Sequence, residues 1–321
     1  MARPWVTAMA GVTIACPEPN RLIRLATDVL GWEVFCSERI DDEQQSSWGI
    51  ASQSSGKTST ILRSRGTDRG MIRLVEGPKR VYQSPMKSRW SGIEIVVTKD
   101  LDRLSDKLSA HSDFEVQRPI LKVDFTHAGA NIHDFFYGYA LGDAHIMFTM
   151  AETQPETYAF PDSPNHVGHI FDVHLEADSS SQSQEFYEGT IGMKMVFDDT
   201  LNDSMFYDTW GLSRDTPKVR MSIFKGDADG FGLGGIELRS YDSATIDPSS
   251  AIEDRFDGGV CMTSFTVKDI DGLYAVLRDS PLATVLSKPQ VLNRAPYAGG
   301  RAFSALGPQG ERLEFSERWS A

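Results

Sequence analysis

The chain repeats itself at long range. Val29-Leu30-Gly31-Trp32-Glu33-Val34-Phe35 corresponds to Thr190-Ile191-Gly192-Met193-Lys194-Met195-Val196, 161 residues further on. Ile72-Arg73-Leu74 corresponds to Ile236-Glu237-Leu238 at an offset of 164, and Asp100 to Asp269 at 169. Offsets this nearly constant across separate landmarks mark a duplicated unit, and the period is far too long for a solenoid. Any fold proposed for the 321 residues must therefore be built twice.

Each half divides again into two shorter units. The first opens with an alternating strand over Val6–Cys16. Leu22, Ile23, Leu25, Ala26, Val29 and Leu30 follow at helical spacing, and Gly31 is the expected stop. Strands are expected over Trp32–Ile40, Thr58–Arg65 and Gly70–Glu76, giving β-α-β-β-β. The second unit runs from the strand Ile93–Thr98 through a helix opened by Asp100-Leu101-Asp102. Its later strands are expected near Ile120–Val123, Phe135–Tyr139 and His145–Met150. The proline-bearing stretch Thr153–Asn165 reads as a linker. The third unit runs from Val167 to Ser240, and the fourth from Gly259 to Glu317, its helix opened by Lys268-Asp269-Ile270-Asp271.

A formal net charge of −13 disfavours nucleic acid and anionic membranes as partners, since both call for a basic surface. The N-terminus carries no apolar signal core, and no apolar run approaches a membrane span. Three widely spaced cysteines exclude a disulfide framework and fit a reducing cytoplasm.

Two short stretches carry a family resemblance. Phe186-Tyr187-Glu188-Gly189-Thr190-Ile191-Gly192-Met193 is similar to the helix end, and Gly307-Pro308-Gln309-Gly310-Glu311-Arg312-Leu313-Glu314-Phe315 to the last turn and strand, of the vicinal oxygen chelate superfamily. That superfamily groups glyoxalase I, bleomycin-resistance proteins and extradiol dioxygenases. The length and four-unit layout most resemble the extradiol dioxygenases. The resemblance implies an α+β fold of four βαβββ modules paired into two tandem domains. Each would be a curved mixed sheet around a cleft with helices outside. On this reading residues 1–152 form a non-catalytic N-terminal domain, 153–165 a linker, and 166–321 a C-terminal domain with the working cleft.

The resemblance further implies that metal ligands come from the first and last strands of a unit. Strand alternation selects which residues point inward. Val12, Ile14, Ile72 and Leu74 should pack on helices, leaving Gly11, Thr13 and Arg73 in the cleft. Gly92 and Met147 occupy the corresponding positions of the second unit, so the N-terminal half offers no ligand set. In the third unit Phe171, Val173 and Leu175 are expected on the apolar face, with Asp172 and His174 in the cleft. A change of spacing at the serine-rich turn Ser179-Ser180-Ser181 would instead return His169 to the ligand position. Glu237 and Glu314 fall at the last-strand positions of the third and fourth units, while Met262 stands where the fourth unit's histidine would be. The expected site is thus Asp172, Glu314 or His169 as metal ligands, with His174 and Glu237 as catalytic groups. It would take one divalent metal (Fe, Mn, Zn or Mg) or none.

The activity implied is that of a lyase, isomerase or ring-cleaving dioxygenase acting on a small aromatic or carbonyl-containing molecule. Phe135, Tyr137, Phe206, Tyr207 and Trp210 are candidates to line the pocket. The alternative implied by the bleomycin-resistance branch is a metal-free protein that binds or sequesters a small molecule. A homo-oligomer is compatible with either.

Overall fold

The structure is a computed structural model that describes residues 3–50, 56–79, 89–116, 120, 132–140, 144–151, 163, 165–201, 219–226, 235–241, 256 and 258–319. The linker interior, Ile120–Val123 beyond its first residue, and Phe206, Tyr207 and Trp210 lie outside the described residues, as do the side chains of Phe135 and Tyr137.

Four units follow one another as expected. The first contains β1 (Val6–Cys16), α1 (Pro19–Arg24), β2 (Glu33–Arg39), α2 (Asp42–Trp48), β3 (Thr58–Arg63) and β4 (Met71–Glu76). The helix α1 widens into a π-helical segment, Leu25–Leu30, that ends at Gly31 with φ 71°, the left-handed stop anticipated there. The short α2 was not expected. Asp41 caps it by accepting from the Gln44 amide at 2.8 Å, and Gly49 ends it at φ 62°. The second unit contains β5 (Trp90–Val97), α3 (Leu101–Ser109), β6 (Phe114–Val116), β7 (Ile132–Ala140) and β8 (Ala144–Ala151). In the third are β9 (Val167–Ala177), α4 (Ser180–Gln184) with its π-helical extension Glu185–Thr190, β10 (Lys194–Leu201), β11 (Val219–Lys225) and β12 (Gly235–Tyr241). The fourth has β13 (Gly259–Val267), α5 (Ile270–Asp279), β14 (Thr284–Val285), β15 (Gln290–Val291), β16 (Arg301–Leu306) and β17 (Arg312–Ser316).

The units pair differently from the consecutive arrangement expected. β1 lies antiparallel to β13, and β5 antiparallel to β9. One sheet therefore runs β14-β16-β17-β13-β1-β4-β3-β2, with β15 alongside β16, and joins the first and fourth units. The other runs β10-β11-β12-β9-β5-β8-β7-β6 and joins the second and third. The division at residues 153–165 thus separates neither sheet; each takes one unit from each half. The physical reason is that all four first strands carry similar apolar faces and similar free edges, so any two can form the seam.

A single apolar core draws on all four first strands and the helices α1, α3 and α5. Val12, Ile14, Ile72 and Leu74 belong to it, as alternation predicted. In β9 the prediction needs a correction. The core residues are Ile170, Val173 and Leu175, not Phe171. Asp172 pairs with Glu94 and Ile170 with the adjacent Ile95, so Phe171 is an extra residue, a β-bulge that resets the alternation. β1 has the same device at Ala10, between the Met9 and Gly11 pairings.

The sheets meet where β9 runs beneath the Ser64–Gly70 turn. The Ile170 amide donates to the Gly70 carbonyl at 3.0 Å, and Ser64 Oγ donates to the Val167 carbonyl at 3.0 Å. Gly70 is required at this approach: its φ is 59°, and a Cβ there would lie 2.1 Å from the Ile170 carbonyl oxygen. A second clasp links the third and fourth units. Tyr187 Oη donates to Glu311 Oε1 at 2.6 Å, the Gln309 amide donates to Glu311 Oε2 at 2.8 Å, and Gln309 Nε2 donates to Ser183 Oγ at 3.0 Å. Both motifs of the family resemblance thus meet across one hydrogen-bonded junction.

Two buried groups give opposed pH dependences. Burial, assisted by Arg69, pushes the His169 imidazole down to about 4 from 6.5. The unfolded chain then binds a proton that the native state refuses, so stability is lost as pH falls through that window. Burial pushes the Glu311 carboxyl up to about 7 from 4.5. Here the native state keeps a proton that the unfolded chain releases, so stability is lost as pH rises through that window. Urea denaturation at stepped pH checks both. The stability margin of wild type over His169→Gln should grow by on the order of 3 kcal/mol from pH 4 to 6.5, and that over Glu311→Gln should shrink by a similar amount from pH 4.5 to 7.

Candidate functional site

Each sheet has six equivalent positions beside its central seam, four on first strands and two on last strands. In the first sheet Gly11 lies opposite Ser264 and Thr13 opposite Met262, while Arg73 pairs with Thr13 and Glu314 with Ser264. In the second, Gly92 lies opposite His174 and Glu94 opposite Asp172, while Glu237 pairs with His174 and Met147 with Glu94. The same register thus delivers quite different side chains to the two clefts.

The first cleft is filled by the protein itself. Arg73 is wholly buried at its centre, where Nη1 donates to Glu314 Oε2 at 3.3 Å and Nη2 donates to Tyr297 Oη at 2.7 Å. Three aromatic rings surround the guanidinium, with centroids 4.8 Å away for Trp319, 5.0 Å for Trp48 and 5.5 Å for Tyr297. Trp48 comes from the unanticipated α2, which carries its indole inward. Glu314 also accepts from Trp48 Nε1 at 2.8 Å, Tyr297 Oη at 2.6 Å and Ser264 Oγ at 2.7 Å. Its lone pairs are taken up, and a guanidinium stands where a metal would have to sit. Glu314, expected to join Asp172 as a ligand, is therefore in the other sheet from Asp172 and committed to Arg73. The pairing of the fourth unit with the first is what moves it there.

The second cleft is built otherwise. Ligand atoms of Glu94, His174 and Glu237, all buried, lie within 4.8 Å of one another. His174 Nε2 is 3.4 Å from Glu94 Oε2. Asp172 shares the face of His174, two residues away with no bulge between them. Its Oδ1 accepts from the Val173 amide at 2.8 Å, while its buried Oδ2 accepts no hydrogen bond among the described residues. Burial, then the charges of Glu237 and Glu94, hold the Asp172 carboxyl well above the usual carboxylate range. Glu237 accepts from Arg239 Nε at 2.5 Å.

Of the five expected site residues, the structure gathers His174, Glu237 and Asp172, and leaves out Glu314 and His169. His169 lies beyond the Phe171 bulge and packs against the Gly70 turn at the junction of the sheets. Glu94 is the residue that sequence reasoning missed. Its signal was present, a lone acid in the otherwise apolar Ile93-Glu94-Ile95-Val96-Val97, two positions past Gly92 on the same face.

Two carboxylates and one imidazole converging in this way form a donor set suited to a divalent cation. Imidazole and carboxylate ligands together fit Mn²⁺, Fe²⁺ or Zn²⁺ better than Mg²⁺, which prefers all-oxygen coordination.

No protein-family model matches the chain, and no curated protein matches it in sequence. Solved structures do match its fold. A glyoxalase I mutant from Zea mays superposes with a TM-score of 0.63 at 15% identity, over 96% of this chain and 93% of its own. Glyoxalase I from Zea mays itself gives 0.61 at 14%, over 97% and 92%. A protein of Bacillus subtilis subsp. subtilis whose name proposes a dioxygenase gives 0.60 at 12%, over 98% and 86%. The chain has the same fold as these proteins. No helix among the described residues is long and apolar enough to cross a membrane.

Arg73→Met would leave Glu314 buried without its cation and should cost about 3–5 kcal/mol in urea denaturation. Glu314→Gln in the same chain should restore part of that loss, because the partners of Glu314 would then surround a neutral amide.

Proposed function

We propose that the chain is a metal-dependent enzyme of the vicinal oxygen chelate type, working in the cleft of the second sheet on a small molecule that bears a carbonyl or an aromatic hydroxyl. The observation that carries the reading is the convergence of Glu94, His174 and Glu237 within 4.8 Å in a buried cleft. The first cleft, closed by Arg73 and its aromatic cage, is a structural counterpart.

Glu94, His174 and Glu237 would hold the cation. When bound it would supply Lewis-acid polarisation of a substrate oxygen. His174 would offer a ring nitrogen to the cation alongside the two carboxylates, a role that an imidazole fills in its neutral form. Asp172 Oδ2 supplies a hydrogen-bonding anchor beside the trio that would orient a substrate hydroxyl or carbonyl. The surrounding strands β5 and β9 are buried along their length and would exclude water from that contact. Glyoxalase and ring-cleaving chemistry both remain within this description, and the substrate class is set by the polarised oxygen rather than by either name.

One observation favours the rival reading of a metal-free binding protein: Arg239 already neutralises Glu237. Metal analysis separates the two. Protein stripped of metal and reloaded with Mn²⁺, Fe²⁺ or Zn²⁺ should retain about one equivalent per chain, as expected for one open cleft. His174→Ala and Glu237→Gln should abolish retention, while Glu314→Gln should leave it unchanged. Retention unaffected by His174→Ala, or lost in Glu314→Gln in folded protein, would refute the assignment to this cleft. No retention of any of the three metals would leave the binding protein as the reading.

A further inference from the structure

The polar side chains of the second cleft continue past the trio. Arg239 stands two residues beyond Glu237 on β12, so it lies on the same face, and it is only 1% exposed. Its Nε donates to Glu237 Oε1 at 2.5 Å, and its Nη1 lies 3.8 Å from Glu176 Oε1. Glu176 pairs with Arg239 in the register and is wholly buried. It accepts from Ser91 Oγ at 2.6 Å. Ser91 is itself a bulged residue, since Trp90 pairs with Leu175 and Gly92 with the adjacent His174. The bulge puts the hydroxyl in reach of Glu176.

We propose that Arg239 is a positioning residue for the candidate metal ligand Glu237, itself held by Glu176 and Ser91. The chain of contacts fixes the Glu237 carboxylate where it stands within 4.8 Å of the ligand atoms of Glu94 and His174. This rests on the reading that the trio binds a divalent cation. A glutamate side chain has three free torsions, and near Glu94 and Asp172 it meets like charge that would turn it away. A planar guanidinium removes both problems at once, because it pins one oxygen and offsets the repulsion. A buried guanidinium must in turn be balanced, which gives Glu176 its place, and a buried glutamate needs a donor, which gives Ser91 its place. Groups behind a ligand usually act in this way on metal affinity.

The test uses the full chain, stripped of metal and titrated with Mn²⁺ followed by calorimetry and electron paramagnetic resonance. Arg239→Met should weaken Mn²⁺ binding by about 10–100-fold and alter the spectrum of the bound ion, as a displaced ligand would. Arg239→Lys keeps the charge but loses the planar guanidinium, and should recover only part of the affinity. Glu176→Gln and Ser91→Ala should weaken binding several-fold, in that order. A folded Arg239→Met chain that binds Mn²⁺ within about twofold of wild type with an unchanged spectrum overturns the positioning role alone. If Arg239→Met does not fold, unchanged affinity in both Glu176→Gln and Ser91→Ala overturns it. Wild type that binds no Mn²⁺ overturns the metal site and the positioning role together.

Discussion

The antiparallel seam between first strands is the interaction on which the molecule depends. β1 against β13 and β5 against β9 turn four small units into two eight- to nine-stranded sheets, and the seam brings residues from distant parts of the chain to the centre of each cleft. A βαβββ unit alone has one apolar face and two edge strands, and neither exposed feature is stable in water. Pairing first strands covers one edge of each unit, and a common core beneath both sheets buries the faces. Because each seam joins units from opposite halves of the sequence, neither half closes a sheet without the other.

Much of this was legible in the residues. The repeat announced duplicated units, Gly31 announced a helix stop, and Val12, Ile14, Ile72 and Leu74 announced a helix-facing side. Arg73, Glu237 and Glu314 were placed correctly on last-strand cleft positions. Which unit pairs with which was not legible, because pairing is decided by long-range complementarity between four similar strands and leaves no local mark. The bulges at Ala10, Ser91 and Phe171 were also hidden. A bulge shifts alternation by one residue, and nothing in Ile170-Phe171-Asp172-Val173 distinguishes a straight strand from a bulged one. Glu94 escaped because the count along its strand stopped at Gly92, two residues short on the same face.

The unequal clefts follow from one choice at one register position. Thr13 is paired with Arg73, and His174 with Glu237. A cation at the centre of the first cleft makes every neighbouring acceptor useful to stability, and Glu314, Tyr297, Trp48 and Trp319 close around it. A carboxylate at the same position in the second cleft does the reverse. It stands near Glu94 and Asp172, helps to hold the Asp172 carboxyl above its usual range, and makes the burial of these acids together costly to folding. Local conflict of this kind is tolerated at functional sites when the rest of the structure compensates.

The placement of the second buried guanidinium sharpens the contrast. Arg239 stands two pairings further along, opposite Glu176 and not opposite His174. From there its Nε holds one oxygen of Glu237. An arginine at the central position, as in the first sheet, satisfies the acid by occupying the centre; an arginine two residues along satisfies it from beside the convergence of Glu94, His174 and Glu237. The two clefts therefore differ less in which residue types they contain than in where a single positive charge falls along a strand, a distance of two residues. That displacement separates a centre held by a buried guanidinium from one where Glu94, His174 and Glu237 converge.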